Sequence, residues 1–487
     1  MFNTAEELET LLIDDGASIR DVLRTIDANG RGLALVVDAD RSLRGIITDG
    51  DARRGLLRGL SLEEGAGACL NREFVAAPEG ASREELLKLM DYRIRCVPIL
   101  DSRRRPVDFV ALEQIYQVPV AEPQLAGREL EYVTECITTN WISSQGKYVD
   151  RFEREFAVFV GTRYALATSS GTTALHLALA ALGLGPGDEV IVPDLTFIAT
   201  ANAVAYCGAT AVLADVDPVT WTLSPSAVES VVTERTKGIL PVHLYGHPAD
   251  MAPLRGIAER HGLFLLEDCA EALGARYRGE MVGQIGEAGC FSFYGNKTLT
   301  TGEGGMVVTN DEVLYRRAKV LRDHGMSPDR RYWHPLVGFN YRLTNLQAAV
   351  GVAQLERIDT ILALKANIDR QYRTHLSGIP GLVMPAAESW ADPVCWLFSM
   401  RVDSRAGGLT RDELLGLMQR QQIGCRPVFY PLHEQPPYFQ AQSFPASEEI
   451  ARSGISLPSA VTLTDRAVEY VSRTIRRFVA DYESQSA

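Results

Sequence analysis

The N-terminal quarter of the chain carries one hydrophobic pattern twice. In residues 18–54, an amphipathic helical pattern precedes a short β-branched run that ends in Asp, then a charged turn and a second apolar run. Residues 82–115 repeat the same order. Because one such unit cannot bury its apolar face alone, the repeat predicts a pair that packs together as a small α+β domain.

A different pattern begins after residue 118. Two prolines, a glycine and the loss of periodicity in residues 117–127 predict a connector. Beyond it, helical stretches such as residues 172–184 alternate with short apolar strands, which predicts an α/β domain with a mostly parallel sheet and helices on both faces. The predicted strands are RYALAT, EVIVPD, TAVLADV, GILPVHL, LFLLED, CFSFYG and GMVVTN.

The pattern changes once more from residue 353 onward. A long amphipathic helix is predicted over residues 353–376, and short strands and helices mix after it. This predicts a smaller C-terminal α+β lobe. A chain of 487 residues is long enough for two or three domains, and we divide it into 1–118, 119–360 and 361–487.

Composition and charge narrow the function classes. The chain is globular in composition, and its net charge of −13 argues against nucleic-acid binding through phosphate neutralisation, although a local site could still hold a small anion. The N-terminus is acidic without the apolar core of a signal peptide, and no apolar run is long enough to span a bilayer. The eight cysteines form no CxxC pair or metal-type cluster, which favours free thiols in the cytoplasm and no metal.

Polar side chains follow several predicted strands at their carboxyl ends, where ligands gather in such sheets. Ser170, Gly171 and Thr172 begin a helix, so they predict an anion site, although Ser and Thr also cap helices. Asp268 ends a buried strand and needs a cationic partner such as a protonated pyridine nitrogen, unless it too is a cap. Phe197 could stack on a flat ring or pack in the core.

Lys297 stands between an aromatic strand and a run of Thr and Gly, in FSFYGNKTLTTGEGG (291–305). A lysine is usually a solvated surface charge, but these flanks predict an amine in a pocket beside a loop that permits close approach. A buried amine loses its proton more easily and can then form a Schiff base with an aldehyde. Together with the anion site, the acid and the aromatic, it meets the needs of pyridoxal 5′-phosphate (PLP).

Residues from about 119 to 480 resemble the PLP-dependent nucleotide-sugar aminotransferases of the DegT type, which have fold type I. Within that family the chain is most similar to the perosamine synthase branch, through EALGA, GNKTLTTGEGGM and MSPDRRYWHPLVGFNYRLTN. The other segments that carry the resemblance are WISSQGKYVDRFE, SSGTTALHLALAALGLGPGDEVIVP, PVHLYG, EDCAEALGA and GFNYRLTNLQAA.

The resemblance implies a role for each residue at the predicted cofactor site. Lys297 would form the Schiff base and move the proton between C4′ of the cofactor and the sugar carbon. Asp268 would face the pyridine nitrogen, and Phe197 would lie on the ring. The residues that would hold the phosphate are Ser170, Gly171, Thr172 and Ser292.

Two further positions indicate which branch of the family the chain resembles and whether it forms an oligomer. Glu271, assigned to the cofactor site, stands where many family members carry His or Gln and the perosamine branch carries Glu. Another branch has His in place of the lysine and dehydrates its sugar, so Lys297 argues against that branch. Asn340, in GFNYR, would reach the phosphate of the neighbouring subunit, which implies a homodimer or a higher homo-oligomer.

The implied reaction is a ping-pong transamination in polysaccharide biosynthesis. L-glutamate would supply the amino group, and C4 of a nucleoside-diphosphate 4-keto-6-deoxy sugar would receive it, with GDP-4-keto-6-deoxymannose giving GDP-perosamine as the expected case. A UDP- or dTDP-linked keto sugar is the alternative substrate, and a non-catalytic sensor with a PLP fold is the alternative class. The predicted substrate contacts are Arg331, Tyr332, His334 and Arg426, of which the last is equally well explained as a surface arginine.

The N-terminal repeat resembles a pair of cystathionine-β-synthase-type (CBS) motifs, which often bind adenine nucleotides. GIITDGD in the first copy matches the ribose-contacting signature of that family through Thr48 and Asp51. The equivalent DFVALEQ of the second copy carries neither residue, so one nucleotide site at most is expected. The alternative is that the pair only packs or oligomerises; if it binds a nucleotide, the nucleotide could regulate activity.

Overall fold

The structure is a computed structural model that describes residue 3 and residues 5–81, 83–91, 94–112, 118–386 and 388–486. The chain folds into two compact units, Met1–Gln117 and Val118–Ala487. Among the described residues, none of the helices combines the length and apolar character needed to cross a bilayer.

The first unit contains the predicted repeat as two three-stranded sheets, ordered β1-β2-β3 and β4-β5-β6. In each sheet the first pair of strands is parallel and the second pair antiparallel. Residues 82, 92, 93 and 113–115 of the second copy lie outside the described residues. The elements are α1 (Ala5–Glu9), β1 (Leu12–Asp14), α2 (Ile19–Asn29), β2 (Leu33–Val37), β3 (Leu43–Thr48), α3 (Asp49–Leu57), β4 (Ala77–Pro78), α4 (Arg83–Leu89), β5 (Cys96–Leu100) and β6 (Pro106–Ala111).

The two copies share a core, which is why neither has to be stable alone. Leu33 and Leu35 of β2 belong to the same buried cluster as Cys96 of β5 and Phe109 of β6. Both copies therefore bury one face of their strands against the other copy, as the repeat predicts.

The second unit is built on a seven-stranded sheet ordered β7-β15-β14-β11-β10-β8-β9. Six strands run in one direction and β15 runs against them, so the sheet is mostly parallel, and all seven predicted strands are confirmed. The strands of this sheet are β7 (Tyr164–Thr168), β8 (Glu189–Pro193), β9 (Thr210–Ala214), β10 (Thr236–Ile239), β11 (Phe264–Asp268), β14 (Ala288–Ser292) and β15 (Gly305–Thr309). Two short strands, β12 (Arg276–Tyr277) and β13 (Glu280–Met281), lie between β11 and β14 in the chain and belong to another sheet.

Helices cover both faces of this sheet. Along β7 the side chains alternate, so that Ala165 and Ala167 join a cluster with Phe152, while Leu166 joins a different cluster with Leu175. Both faces are thus buried, as in other mostly parallel sheets. The helices are α5 (Glu129–Thr138), α6 (Lys147–Val160), α7 (Gly171–Leu182), α8 (Ala199–Tyr206), α9 (Pro225–Val231), α10 (Met251–His261), α11 (Glu312–Arg322) and α12 (Asn345–Leu355).

The C-terminal part carries a four-stranded antiparallel sheet, β16-β18-β20-β19. A separate small sheet joins β13, β12 and β17. The elements are α13 (Ile358–Leu376), β16 (Leu382–Val383), β17 (Ala391–Asp392), β18 (Phe398–Val402), α14 (Ser404–Gly407), α15 (Arg411–Arg420), β19 (Arg426–Pro427), α16 (Pro445–Ser453), β20 (Gly454–Leu457) and α17 (Asp465–Ser486).

The long helix predicted over 353–376 is two helices, so that prediction is wrong in its first turn. The break falls at Arg357, which leaves helical dihedrals (φ −113°, ψ 8°) and donates a hydrogen bond to Gln124 Oε1 at 3.0 Å. The apolar spacing continues through the break, so the sequence pattern cannot show it. Because α13 then runs unbroken through residue 360, the lobe boundary drawn there stays a prediction.

Candidate active site

A cavity of about 460 Å³ lies at the carboxyl ends of β7, β8, β11 and β14. It brings together residues that the sequence predicts from separate strand ends. The predicted residues that line it are Ser170, Gly171, Thr172, Phe197, Asp268, Glu271, Ser292, Lys297 and Arg426. Seven further polar or aromatic residues line it that sequence reasoning missed, namely Thr196, Thr200, Tyr294, Asn296, Glu303, Trp396 and Phe429.

Lys297 lies in a turn five residues after β14 rather than at the strand end itself. The turn is closed by the Lys297 amide, which donates to Tyr294 O at 2.9 Å. Its side chain is 13% exposed, with Nζ 3.5 Å from Glu271 Oε1 and 3.7 Å from the centroid of the Trp396 ring. Burial lowers the pKa of Lys297, while the charges of Glu271 and Asp268 oppose that shift.

Asp268 is buried at the end of β11 and accepts two hydrogen bonds. Thr200 Oγ1 donates to Oδ2 at 2.8 Å, and the Ala270 amide donates to Oδ1 at 3.1 Å. Burial raises the pKa of Asp268, against these hydrogen bonds and the nearby Lys297 charge. The residues that follow form turns and not a helix, so Asp268 is not a helix cap and faces the cavity as a buried acid.

Glu271 is a second buried acid of the cavity, and it lies beside the lysine. Its Oε2 accepts a hydrogen bond from the Tyr245 amide at 2.9 Å. Burial raises the pKa of Glu271 to about 7, with the Lys297 charge opposing the shift. The carboxyl group of Glu271 is therefore close to its midpoint at neutral pH, and it lies near enough to the amine of Lys297, whose pKa burial lowers, to exchange a proton with it.

The predicted anion site lies at the start of α7. Ser170 is the N-cap of this helix: its Oγ accepts from the Thr173 amide at 3.2 Å, and Thr173 Oγ1 accepts from the Ser170 amide at 2.9 Å. Its hydroxyl thus has the capping role that the sequence left open, while Gly171 and Thr172 line the cavity in the first turn. A Cβ on Gly171 would lie 2.7 Å from Ser292 Cβ, so only glycine permits this approach.

The structure places both Phe197 and Arg426 on the wall of the cavity. Phe197 is 56% exposed and lies 5.7 Å from the Phe429 ring, so it lines the cavity instead of filling the core. Arg426, at the start of β19, is exposed but lies on the cavity wall with Phe429. An aromatic face and a cation are therefore available near Lys297.

A hydrogen-bonded group of His243 and Glu267 lies beside Asp268, whose backbone carbonyl accepts from the His243 amide at 3.1 Å. His243 Nδ1 accepts from the Ala249 amide at 3.0 Å, which places the ring proton on Nε2, 3.1 Å from Glu267 Oε2. Cys269 lies close enough to both for the three to form a metal-type cluster. The carboxylate of Glu267 is instead satisfied within the protein, by His243 and by the amides of Gly283, Ile285 and Gly286.

Four predicted residues are not brought to this cavity. Arg331, Tyr332, His334 and Asn340 are all exposed on the segment between α11 and α12, and His334 Nδ1 bonds His324 O at 2.9 Å. Asn340 pairs with Asp323 in an isolated β-bridge. Since Asn340 is expected to act in a neighbouring subunit, its exposure leaves that prediction open.

In the first unit, Thr48 and Asp51 form a capping box at the start of α3. Thr48 Oγ1 donates to Asp51 Oδ2 at 2.6 Å, the Thr48 amide donates to the same oxygen at 3.0 Å, and the Asp51 amide donates to Thr48 Oγ1 at 3.2 Å. Hydrogen bonding to Thr48 and to Arg54 lowers the pKa of Asp51, although burial opposes it. The signature thus has a structural role, and its contact with a nucleotide stays a prediction.

The missed residues had only weak signals in the sequence. Thr196 and Thr200 lie four residues apart just after β8, with their hydroxyl oxygens 3.2 Å from each other, so a search of that strand end for hydroxyls could have found them. Trp396 and Phe429 come from the C-terminal part, about 100 residues or more from Lys297, and they follow no strand of the large sheet. Their approach depends on the tertiary fold.

Comparison with known proteins agrees with both resemblances. Residues 123–476 match the DegT/DnrJ/EryC1/StrS aminotransferase family, and residues 8–58 and 66–119 match the CBS domain. The chain is 46% identical to GDP-perosamine synthase of Caulobacter vibrioides, over 74% of this chain and 98% of that protein. It is 44% identical to GDP-perosamine synthase of Escherichia coli O157:H7, over 75% and 99%.

The fold also matches solved structures. The crystal structure of DesV from S. venezuelae, in complex with a ketimine intermediate, has a TM-score of 0.69 and 38% identity. The match covers 72% of this chain and 94% of that one. Together with the cavity, these likenesses confirm the predicted α/β aminotransferase architecture and the CBS pair before it.

Proposed function

We propose, because this chain belongs to the DegT/DnrJ/EryC1/StrS aminotransferase family, that it uses PLP to move an amino group from L-glutamate to a keto sugar carried on a nucleoside diphosphate. The observation that carries the proposal is the meeting of Lys297, Asp268 and Glu271 in one cavity beside the start of α7. That coenzyme requires an amine with a lowered pKa, an anion site and a buried acid, and among the described residues no cation lies within hydrogen-bonding distance of the acid Asp268.

The residues present fit the coenzyme in charge and in shape. Gly171, Thr172 and Ser292 would hold its phosphate, since the first turn of α7 favours an anion and Gly171 leaves room for close approach. Asp268 would hold the proton on its ring nitrogen, which would relieve the cost of a buried carboxylate. Thr200 fixes the carboxylate for that contact.

When bound, PLP supplies an electron-withdrawing ring that accepts the negative charge left by a departing proton. Lys297 is the group that would move this proton between the substrate carbon and C4′ of the coenzyme. Burial favours the neutral amine of Lys297, whereas Glu271 at 3.5 Å favours the ammonium form. The side chain can therefore both accept a proton and donate one. Glutamate enters in one half-reaction and the keto sugar in the other.

The expected substrate is GDP-4-keto-6-deoxymannose, giving GDP-perosamine. Support comes from the two similar proteins named GDP-perosamine synthase, each covered almost in full by this chain. Arg426 on the cavity wall is suited to the second carboxylate of glutamate or to a phosphate of the sugar nucleotide. Incubation with glutamate and GDP-, UDP- or dTDP-linked keto sugars, with the product identified by mass, tests the assignment. If a UDP- or dTDP-linked sugar is aminated and the GDP-linked sugar is not, the substrate assignment changes to that sugar nucleotide.

Lys297→Ala tests the chemistry. The variant is expected to fold and to lose activity by at least roughly 10³-fold, since an acid/base and covalent role is removed. Borohydride should fix the coenzyme on the peptide that holds Lys297. Lys365 is the internal control, because burial lowers its pKa too, in its case to about 8, yet its amine donates to Trp396 O and Ser459 O. Fixation at Lys365, or normal turnover without Lys297, would refute the proposal.

Two parts of the proposal concern assembly and regulation. We expect a homodimer or higher homo-oligomer in which Asn340, exposed here, reaches the neighbouring active site. We also expect an adenine nucleotide to bind near Thr48 and Asp51 and to change the rate. Light scattering tests the first, and titration of AMP and ATP against rate and melting temperature tests the second; no response in either measurement would remove the regulatory role.

All eight cysteines carry free thiols, which supports a cytoplasmic location.

A further inference from the structure

We propose that Trp396 is a positioning residue for Lys297, holding both the backbone of the lysine turn and its amine. The inference rests on the proposed function, in which that amine does the chemistry. It gives a role at the lysine turn to a residue from the C-terminal part of the chain, which also brings Arg426 and Phe429 to the cavity wall.

Two separate contacts join this indole to the lysine. Trp396 Nε1 donates a hydrogen bond of 2.8 Å to the carbonyl of Asn296, the residue immediately before Lys297. The face of the same ring lies 3.7 Å from Lys297 Nζ, measured to the ring centroid. One side chain thus holds the turn at its backbone and the amine at its tip, which limits the directions in which the lysine can point.

Trp396 is itself held on several sides. It is 4% exposed, and its ring stacks on Tyr245 with centroids 5.9 Å apart and an interplanar angle of 14°. Tyr245 stacks in turn on Phe429 at 5.3 Å. From the other side, Lys365 Nζ donates to Trp396 O at 2.9 Å and to Ser459 O at 2.5 Å. A residue fixed in this way can orient its neighbour.

The indole and Glu271 act on the amine in different ways. A cation over an aromatic face is attracted by the ring quadrupole, so Trp396 favours the ammonium form of Lys297. Indole offers no acceptor for a proton, whereas the carboxylate of Glu271, 3.5 Å from Nζ, does. Trp396 can therefore hold the charged amine without competing for its proton, and Glu271 or the substrate remains the acceptor.

Three substitutions separate these contacts. Trp396→Phe keeps an aromatic face and removes the N–H donor, while Trp396→Leu removes both. Trp390→Phe is the matched control, because Trp390 is a partly buried indole of the same region that contacts Tyr277 and His247 and does not line the cavity.

The primary readout is the pH dependence of Lys297 carbamylation by cyanate. It is followed by peptide mass in the full-length protein after hydroxylamine has removed bound aldehydes, so that it does not depend on turnover. We expect Trp396→Leu to lower the midpoint by about one pH unit, because the ammonium loses the ring face. Trp396→Phe and Trp390→Phe should keep the midpoint of the wild type.

The second readout is kinetic. With the Asn296 carbonyl released, kcat should fall roughly tenfold in Trp396→Phe and further in Trp396→Leu, with KM for both substrates little changed. Trp390→Phe should keep kcat. A merely structural role would lower the melting temperature but leave kcat and the midpoint of the folded protein as they are.

A midpoint in Trp396→Leu that is unchanged or higher, or a kcat in Trp396→Phe within twofold of the wild type, overturns the inference. If Trp396→Leu does not fold, Trp396→Phe alone decides. If the wild type neither binds PLP nor turns over, the proposed function fails, and the cyanate midpoints still decide whether Trp396 holds the amine.

Discussion

Replacing Glu271 by glutamine isolates the charge of a buried acid beside the lysine. Glu271 is 5% exposed, and its Oε1 lies 3.5 Å from Lys297 Nζ. Glutamine keeps the shape of the side chain and an acceptor for the Tyr245 amide, but it cannot ionise. Any change that depends on pH can therefore be assigned to the carboxyl group, either directly or through its charge beside Lys297.

The magnitude follows from the pKa of Glu271, which burial raises from 4.5 to about 7. A difference of about 2.5 units corresponds to roughly 3.5 kcal/mol at about 1.4 kcal/mol per unit. Because the folded protein holds this proton more tightly than the unfolded chain, the stability it gives is complete below pH 4.5 and is lost as the pH rises through 7. Glu271→Gln has no such loss, so between pH 4.5 and 8 its free energy of unfolding should rise relative to that of the wild type by up to about 3.5 kcal/mol.

Urea unfolding of the full-length proteins between pH 4.5 and 8 measures this difference. All five tryptophans lie in the second unit, at positions 141, 221, 333, 390 and 396, so their fluorescence follows that unit alone. Glu303→Gln is the matched control, because Glu303 lines the same cavity but is exposed. It should leave the pH dependence of unfolding as in the wild type.

The same substitution should change the pH profile of the reaction. Without the carboxylate, Lys297 loses the charge that most favours its ammonium form, so the amine should deprotonate at lower pH and the limb of the rate profile near pH 7 should disappear. Unfolding free energies of wild type and Glu271→Gln that stay parallel from pH 4.5 to 8 would refute the assignment of a raised pKa to Glu271.

Two further substitutions test the anion site and the first unit. Gly171→Ala should weaken PLP retention at least tenfold, because its Cβ would lie 2.7 Å from Ser292 Cβ, whereas Gly185→Ala, with nothing within 4 Å, should bind PLP as the wild type does by absorbance titration. Thr48→Ala should cost about 1 kcal/mol by removing a capping box, and Ser18→Ala should cost a similar amount for the same reason. Of these two, Thr48→Ala alone should abolish a response of the melting temperature to AMP, and an equal response in both variants would remove Thr48 from the nucleotide site.

Local patterns in the chain were enough to predict much of the fold. The seven strands of the large sheet, the helix that begins at Gly171 and the doubled unit before residue 118 all follow from hydrophobic spacing over a few residues. Lys297 and Asp268 were predicted because strand ends and permissive loops are also local signals. Where local signals were ambiguous, as for the hydroxyl of Ser170, capping and ligand binding could not be separated.

Contacts between distant segments were beyond these patterns. The reversed direction of β15, the bend at Arg357 and the exposure of the segment around Tyr332 leave the hydrophobic spacing unchanged. Trp396 reaches the lysine turn from 99 positions further along the chain, and His243, Glu267 and Cys269 meet only when β11 is in place. Hydrophobic periodicity shows which face of a helix or strand is buried, because that depends on neighbouring residues alone. Which residue packs against that face depends on how all the elements pack together. The same holds for the pKa values of Lys297, Asp268 and Glu271, since they depend on burial and on the charges that the fold brings near.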